Sequence, residues 1–342
     1  MVRARRAGEF ARIRAIVASL PHGEGVVLGA GDDAAVLRPR KGHDLVVTTD
    51  AFVEGRHWRP GLLAPRAIGR RLAAANLSDL AAMAATPRWA LIACAAPAAA
   101  PPAPARTIER ACAAALAADG ASVVGGNMAA TDGPAWWVVT LIGEVERGRH
   151  WSRAGARAGD VLAVTGFPGR SAAALAIACA SRPVSFASAP RGLAAWYGAP
   201  PSRVAAARAM AATGAVRAAI DISDGLAGDL AHLCEASGVG ATIEEELLPA
   251  DPMLAVVAAA LPGGASGARA RMERLRFGPS DDYELLLAVN PKRFDACAAA
   301  AQASGATLTS IGRVTGERGR LRLRRLAGAE RSLPGRGYDH FG

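Results

Sequence analysis

Apolar and polar positions along this chain switch between two periods, and the switches predict its elements. Residues 9–20 place Phe10, Ile13, Ile16, Val17 and Leu20 on one helical face. Val26-Val27-Leu28 and residues 34–37 read as short strands flanking the Asp32-Asp33 turn, and residues 45–49 as a strand ending at Asp50. Pro65 opens a helix that runs to about residue 85 and stops before Pro87. Residues 89–95 are strand-like, 107–119 helical with Gly120 as the stop, and 122–124 and 136–145 strands. Between residues 147 and 159 the texture turns to Arg, Gly and Ser. A new strand follows at 160–165, then Gly166-Phe167-Pro168-Gly169 and an Ala-rich helix. Further on, helices are expected at 202–213, 225–237 and 291–304, with strands up to Ile220 and at 283–289 and 307–314. Residues 190–201 and 262–267 read as loops. Helices and strands mix in both halves, so the expected class is α/β (α+β), with one domain over residues 1–150 and a second over 151–342.

Composition changes this picture little. The net charge of +10 comes almost wholly from Arg, since Lys occurs only at Lys41 and Lys292. With abundant Ala, that points to a biased genome more than to a polyanion-binding surface. Residues 318–325 hold the densest basic cluster, but Leu321 and Leu323 alternate within it as in a solvated edge strand. No nucleic-acid partner is expected. The five cysteines are scattered with no metal spacing, which suggests reduced, buried thiols. Prolines 97, 101, 102 and 104 break the longest apolar stretch, and no secretory leader pattern opens the chain. A cytoplasmic protein without membrane contact is expected.

The candidate chemistry lies in aspartates at the edges of apolar runs. They read Gly31-Asp32-Asp33, Thr48-Thr49-Asp50, Asn76-Leu77-Ser78-Asp79, Asp221-Ile222-Ser223-Asp224-Gly225 and Asp281-Asp282-Tyr283-Glu284. Carboxylates that converge repel one another unless a cation sits between them, and hard oxygens without paired His or Cys suit Mg²⁺, the usual partner of phosphates. Residues 29–34 fit a dinucleotide-loop pattern, but Pro39 leaves no room for the long helix such a loop must open. Gly125-Gly126-Asn127 follows an apolar strand and has the look of a backbone phosphate cradle. Each signal has a bland alternative: a solvated turn, a helix cap, or a carboxylate paired with an Arg.

In their order, these segments resemble the thiamine-monophosphate kinase family, part of the superfamily of aminoimidazole ribonucleotide synthetase and selenophosphate synthetase. Asn76-Leu77-Ser78-Asp79-Leu80-Ala81-Ala82-Met83, Asp221-Ile222-Ser223-Asp224-Gly225-Leu226 and the terminal Gly337-Tyr338-Asp339-His340-Phe341 carry the likeness, with Gly8-Glu9-Phe10 and Val53-Glu54-Gly55-Arg56-His57 beside them. The resemblance implies an ATP- and metal-binding N-terminal domain whose strands pair across a homodimer, and a C-terminal α/β domain. It implies transfer of the γ-phosphoryl of ATP to thiamine monophosphate with Mg²⁺ and without a catalytic side chain. Asp33, Thr48, Thr49, Asp50, Asp79, Asn127, Asp221 and Asp224 would serve the metals. Gly126, Asn127, Arg153 and Ser223 would serve ATP, and His57, Asp281 and the position of Gly335 the thiamine phosphate.

Four positions depart from the family pattern. Asn127 stands where a metal carboxylate is usual, and Pro279-Ser280-Asp281 where Gly-Gly-Glu is. Gly335 replaces an aromatic, and Arg170 an Asp. They leave two alternatives: a related ATP-dependent enzyme for another small anionic substrate, or a catalytically impaired nucleotide-binding homologue.

Overall fold

The computed structural model describes residues 23–30, 33–179, 192–262, 267–325, 328–335 and 337–338. The helix expected over residues 9–20, Gly31 and Asp32 of the first acidic turn, and Asp339-His340-Phe341 of the terminal motif lie outside these residues. The chain forms two compact units. One holds the residues up to Leu77 together with Thr86–Gly148; the other holds Ser78–Ala85 and Arg149–Gly342.

The first unit is built on a four-stranded sheet in the order β3-β6-β4-β5, from strands His43–Val53, Trp136–Glu146, Thr86–Pro97 and Ser122–Thr131. A small hairpin of β1 (Val26–Leu28) and β2 (Val36–Leu37) precedes it. That hairpin agrees with rejecting a dinucleotide loop, because a strand follows the turn and not a helix. Helix α1 spans Pro65–Ala82 and α2 spans Pro102–Ala118. Pro102 and Pro104 are tolerated in α2 because the first-turn amides have no intrahelical acceptor to lose. At Gly69 of α1 an added Cβ would stand 2.1 Å from the Ile108 carbonyl oxygen, so only glycine lets the two backbones approach this closely.

Two strand readings are corrected here. Asp50 does not end a strand; β3 continues to Val53 and pairs with β6 along its whole length. Gly125-Gly126-Asn127 is not a loop after a strand but the interior of β5, paired with Leu91, Ile92 and Ala93 of β4. The two glycines mark a close backbone approach: a Cβ at Gly126 would lie 2.0 Å from the Ile92 carbonyl oxygen.

The second unit carries a seven-stranded sheet in the order β13-β12-β9-β11-β7-β10-β8. Its strands are Val161–Thr165 (β7), Val216–Ile222 (β8), Gly240–Glu244 (β9), Glu284–Val289 (β10), Leu308–Thr315 (β11), Leu321–Arg324 (β12) and Glu330–Ser332 (β13). Helices are α3 (Arg170–Ala178), α4 (Leu193–Gly198), α5 (Val204–Ala212), α6 (Leu226–Ser237), α7 (Pro252–Ala260), α8 (Ala268–Phe277) and α9 (Phe294–Ala303). Its core joins Leu162, Val164, Ile220, Ile222 and Leu286 of the sheet to Leu226, Leu230 and Leu233 of α6.

Helix α4 lies inside a stretch read as a loop, and β9, α7, α8 and β13 were not foreseen. In α8 the sequence Ala-Arg-Ala-Arg-Met-Glu-Arg-Leu-Arg-Phe is too charged to show an apolar stripe. The basic cluster of residues 318–325 is no edge strand either. β12 pairs with β9 on one side and β13 on the other, and Arg322 and Arg324 neutralise Glu317, Glu330 and Glu244.

Candidate active site

Asp221, Asp224 and Asp229 of the second unit belong to the segment where β8 runs into α6. Asp221, one residue before the end of β8, is 4% exposed. A carboxylate so withdrawn from water requires donors or a cation. One donor is Ser78, whose Oγ bonds Asp221 Oδ2 at 2.8 Å. Ser78 comes from the Asn76–Asp79 stretch of α1, and that stretch is helical as expected. Asn76 and Asp79, three positions apart, share a face. Asn76 is fully buried; its Nδ2 donates to the Leu72 carbonyl at 3.0 Å, and its Oδ1 has no hydrogen-bond partner.

The turn after β8 is organised by a residue that the sequence reading missed. The backbone amides of Ser223, Asp224 and Gly225 donate to one oxygen of Asp229 at 3.1, 3.1 and 3.0 Å. The amides at this helix start are therefore filled by the protein's own carboxylate. Any contact from Ser223 to a phosphate passes through its hydroxyl. Burial, and then the charge of Asp224, push the Asp229 pKa up to about 7, against the pull of the three amides. An acid in the first helical turn after a glycine was the available signal.

Asp281 to Glu284 act mainly as a clamp. Asp282 accepts from the amides of Gly169 and Ser171 at 2.6 and 2.8 Å and from Ser280 Oγ at 2.7 Å. It thereby fixes the start of α3. Glu284 receives both arms of Arg203 at 2.5 Å and Thr165 Oγ1 at 2.6 Å. Asp281, half-buried, accepts from Ser171 Oγ. Arg170, the departure from the family pattern, bonds Asp251 at 2.7 Å and stacks on Phe167, 4.1 Å from the ring centre.

A cavity of about 480 Å³ adjoins this region, lined by Gly228, Ala231 and His232 of α6 and by Leu333, Gly335 and Tyr338. The terminal segment is tied down by the Tyr338 amide, which donates to the Asp224 carbonyl at 3.0 Å. Gly335 has φ +97°, and a Cβ there would lie 2.3 Å from the Phe277 carbonyl oxygen. The position contributes space, not a surface. Arg153 is exposed, and its carbonyl accepts from Ser237 Oγ at 2.8 Å.

In the first unit, strand alternation separates the expected ligands. Thr48, Asp50 and the buried Phe52 lie on one face of β3; Thr49 points to the other, where its hydroxyl meets that of Thr140 at 3.1 Å. Asp33 is exposed in the turn between β1 and β2. Asp50 and Gly126 sit in one row of the sheet, joined through Val139 and Ile92. Three strand spacings put Gly126 and its neighbour Asn127 roughly 14 Å from Asp50 along the sheet. His57 closes a tight turn: its Nδ1 accepts from the Val53 amide at 3.1 Å, so Nε2 carries the proton, and its ring stacks on Phe52 with centroids 5.2 Å apart.

Among the described residues, no three His, Cys, Asp or Glu side chains come close enough to hold one metal ion. The donors are nonetheless of the right kind. Mg²⁺ keeps much of its water and takes one or two carboxylates with substrate phosphates, so Asp221 beside the Ser78 hydroxyl fits it better than a closed cage would. No described helix is long and apolar enough to cross a membrane.

Comparison with known proteins shows the family of the chain. The AIR synthase related protein N-terminal domain matches residues 31–145, and the C-terminal domain of the same family matches 157–324. A thiamine-monophosphate kinase of Caulobacter vibrioides is 35% identical over 311 residues, covering 89% of this chain and 83% of the relative. The crystal structure of thiamine-monophosphate kinase from Stenotrophomonas maltophilia K279a aligns with a TM-score of 0.77 at 30% identity, over 95% of this chain and 98% of the other. AaThiL complexed with AMPPCP and TMP aligns with a TM-score of 0.73 at 28% identity, over 100% and 99%.

Proposed function

The chain belongs to the AIR synthase related proteins and, among them, to the thiamine-monophosphate kinase family, and on that premise we propose that it transfers the γ-phosphoryl group of ATP to thiamine monophosphate, giving thiamine diphosphate. The observation that carries this reading is the buried Asp221 held by Ser78, because it joins the two most distinctive motifs of the sequence through one hydrogen bond. The relative bound to AMPPCP and TMP supports the same pair of substrates.

The acceptor phosphate is already anionic at neutral pH, so no strong general base is required. The obstacle is repulsion between two anions, and catalysis is a matter of positioning and charge. Asp221, beside the Ser78 hydroxyl, would hold Mg²⁺, which would supply positive charge to phosphate oxygens, and Asp79 and Asp224 join it only by the resemblance. Asp33, Thr48, Thr49, Asp50 and Asn127 are assigned to metal on the resemblance alone, as are Gly126, Arg153 and Ser223 to ATP. Asp229 fixes the Ser223–Gly225 backbone, so the Ser223 hydroxyl meets a phosphate without the turn having to reorganise. By the resemblance, His57, with the proton on Nε2, would donate to the thiamine phosphate, and Asp281 is assigned to the substrate on the same ground. The cavity beside Gly335 takes the organic end.

A homodimer in the cytoplasm completes the reading. β3 is an edge strand of 11 residues whose outer face exposes Leu45 (51%) and Val47 (60%), and pairing with a second copy would cover them. Incubation of purified protein with Mg²⁺, ATP and thiamine monophosphate is expected to yield thiamine diphosphate. Absence of product would remove the proposal, and ADP release with a different small anion would move the assignment to a related kinase.

A further inference from the structure

The groove between α1 and α2 in the first unit is not used by any step above. It has a volume of about 560 Å³ and is walled by Arg66 and Arg70 of α1 and by Thr107 and Arg110 of α2. Arg66 and Arg70 stand one helical turn apart, so both face the same side. The floor is made of short side chains, Ala111, Ala114 and Ala115 among them, because the helices touch at Gly69 and leave no room for larger ones.

Among the described residues the charges in this groove are uncompensated. Several arginines elsewhere sit on glutamates: Arg269 on Glu245 at 2.7 Å, Arg322 on Glu330 at 2.6 Å, Arg325 on Glu273 at 2.8 Å. Among the described residues no carboxylate pairs with Arg66, Arg70 or Arg110. The first turn of α1, which contains Arg66, carries no acid, so the positive end of the helix dipole adds to the same field. A biased composition explains many arginines, but not three converging on one concavity without a counter-charge.

We propose that this groove is a second anion site, one that takes a small organic diphosphate. Guanidinium forks match phosphoryl oxygens in geometry, and three positive charges call for a ligand with at least two negative ones. The volume is in the range of small-molecule sites and far exceeds one phosphate, while the methyl floor suits the flat face of a heterocycle. A nucleoside diphosphate and thiamine diphosphate share this chemistry. The site shares no residue with the proposed kinase site, and α1 links it in sequence to Asn76–Asp79.

The test is calorimetric titration of the full-length protein, with the kinase site saturated by Mg²⁺, AMPPCP and thiamine monophosphate. Pyrophosphate, ADP and thiamine diphosphate are titrated separately. One further equivalent is expected to bind, with the organic diphosphates tighter than pyrophosphate; their order identifies the heterocycle. Arg66→Gln/Arg70→Gln/Arg110→Gln is expected to weaken this binding at least about 30-fold, since charge-assisted bonds are lost. Basal kcat and KM should stay unchanged. Arg110→Gln alone, expected to weaken it about fivefold, serves if the triple variant folds poorly. No additional equivalent in the wild type, binding unaffected by the substitutions, or capture of only an acidic peptide would overturn the proposal. Because the readout is binding, it stands or falls separately from the kinase assignment.

Discussion

Ser78 Oγ donates a 2.8 Å hydrogen bond to Asp221 Oδ2, and both side chains are buried. A helix of one motif and a strand end of another, 143 residues apart in sequence, thus share one buried carboxylate. The hydroxyl fixes which way the carboxylate points. Ser78→Ala is expected to lower kcat/KM for ATP roughly 10- to 100-fold, the worth of a hydrogen bond to a charged group. The Mg²⁺ concentration for half-maximal rate should rise with it. Steady-state kinetics across a Mg²⁺ series check this, and a change below twofold would detach Ser78 from the site.

Asp229 holds three consecutive amides with one oxygen. Asp229→Ala would leave these donors unsatisfied at a helix start and is expected to cost roughly 2–3 kcal/mol of stability. Asp229→Asn, which keeps a carbonyl acceptor, should cost about half of that. Urea unfolding of the three proteins measures both, and equal midpoints would mean that water replaces the carboxylate without loss.

Restoring an aromatic at Gly335 should not rebuild a stacking surface. The position has φ +97° and lies against the Phe277 carbonyl, so Gly335→Trp is expected to lose about 1–3 kcal/mol through backbone strain. The KM for thiamine monophosphate should not fall. A stable variant with a lower KM would show that the segment can re-form around a side chain.

Glu109 of α2 is 7% exposed, and one oxygen accepts from Cys94 Sγ at 3.4 Å. Burial raises its pKa above the ordinary 4.5. The native state therefore keeps this proton after the unfolded chain has released it. The resulting stabilisation is full below pH 4.5 and is lost as pH rises toward the native value. Glu109→Gln, neutral at every pH, is expected to flatten the fall of the urea midpoint as pH rises above 4.5. Parallel wild-type and variant curves would place the charge elsewhere.

Much of the molecule was legible in its sequence because local rules are short-range. Period and punctuation located α1, α6, β4, β10 and β11 within a few residues. The order of the acidic motifs pointed to the kinase family, and Asn76 and Asp79 follow the 3.6-residue repeat onto one face. What the sequence could not decide depends on contacts across long separations. The sequence leaves Asp282 and Glu284 to supporting roles without saying what they support; the fold gives the amides of Gly169 and Ser171 to Asp282 and Arg203 to Glu284. Gly125-Gly126 looked like a loop, yet it is strand interior because the Ile92 backbone presses on it. Thr49 parted from Thr48 and Asp50 once β3 proved to continue past them, since a strand must alternate its faces. The sequence by itself determined which oxygens are available and in what order. Only the tertiary structure decided which of them are already used, because a buried carboxylate takes whatever donors the fold brings to it, however distant in the chain.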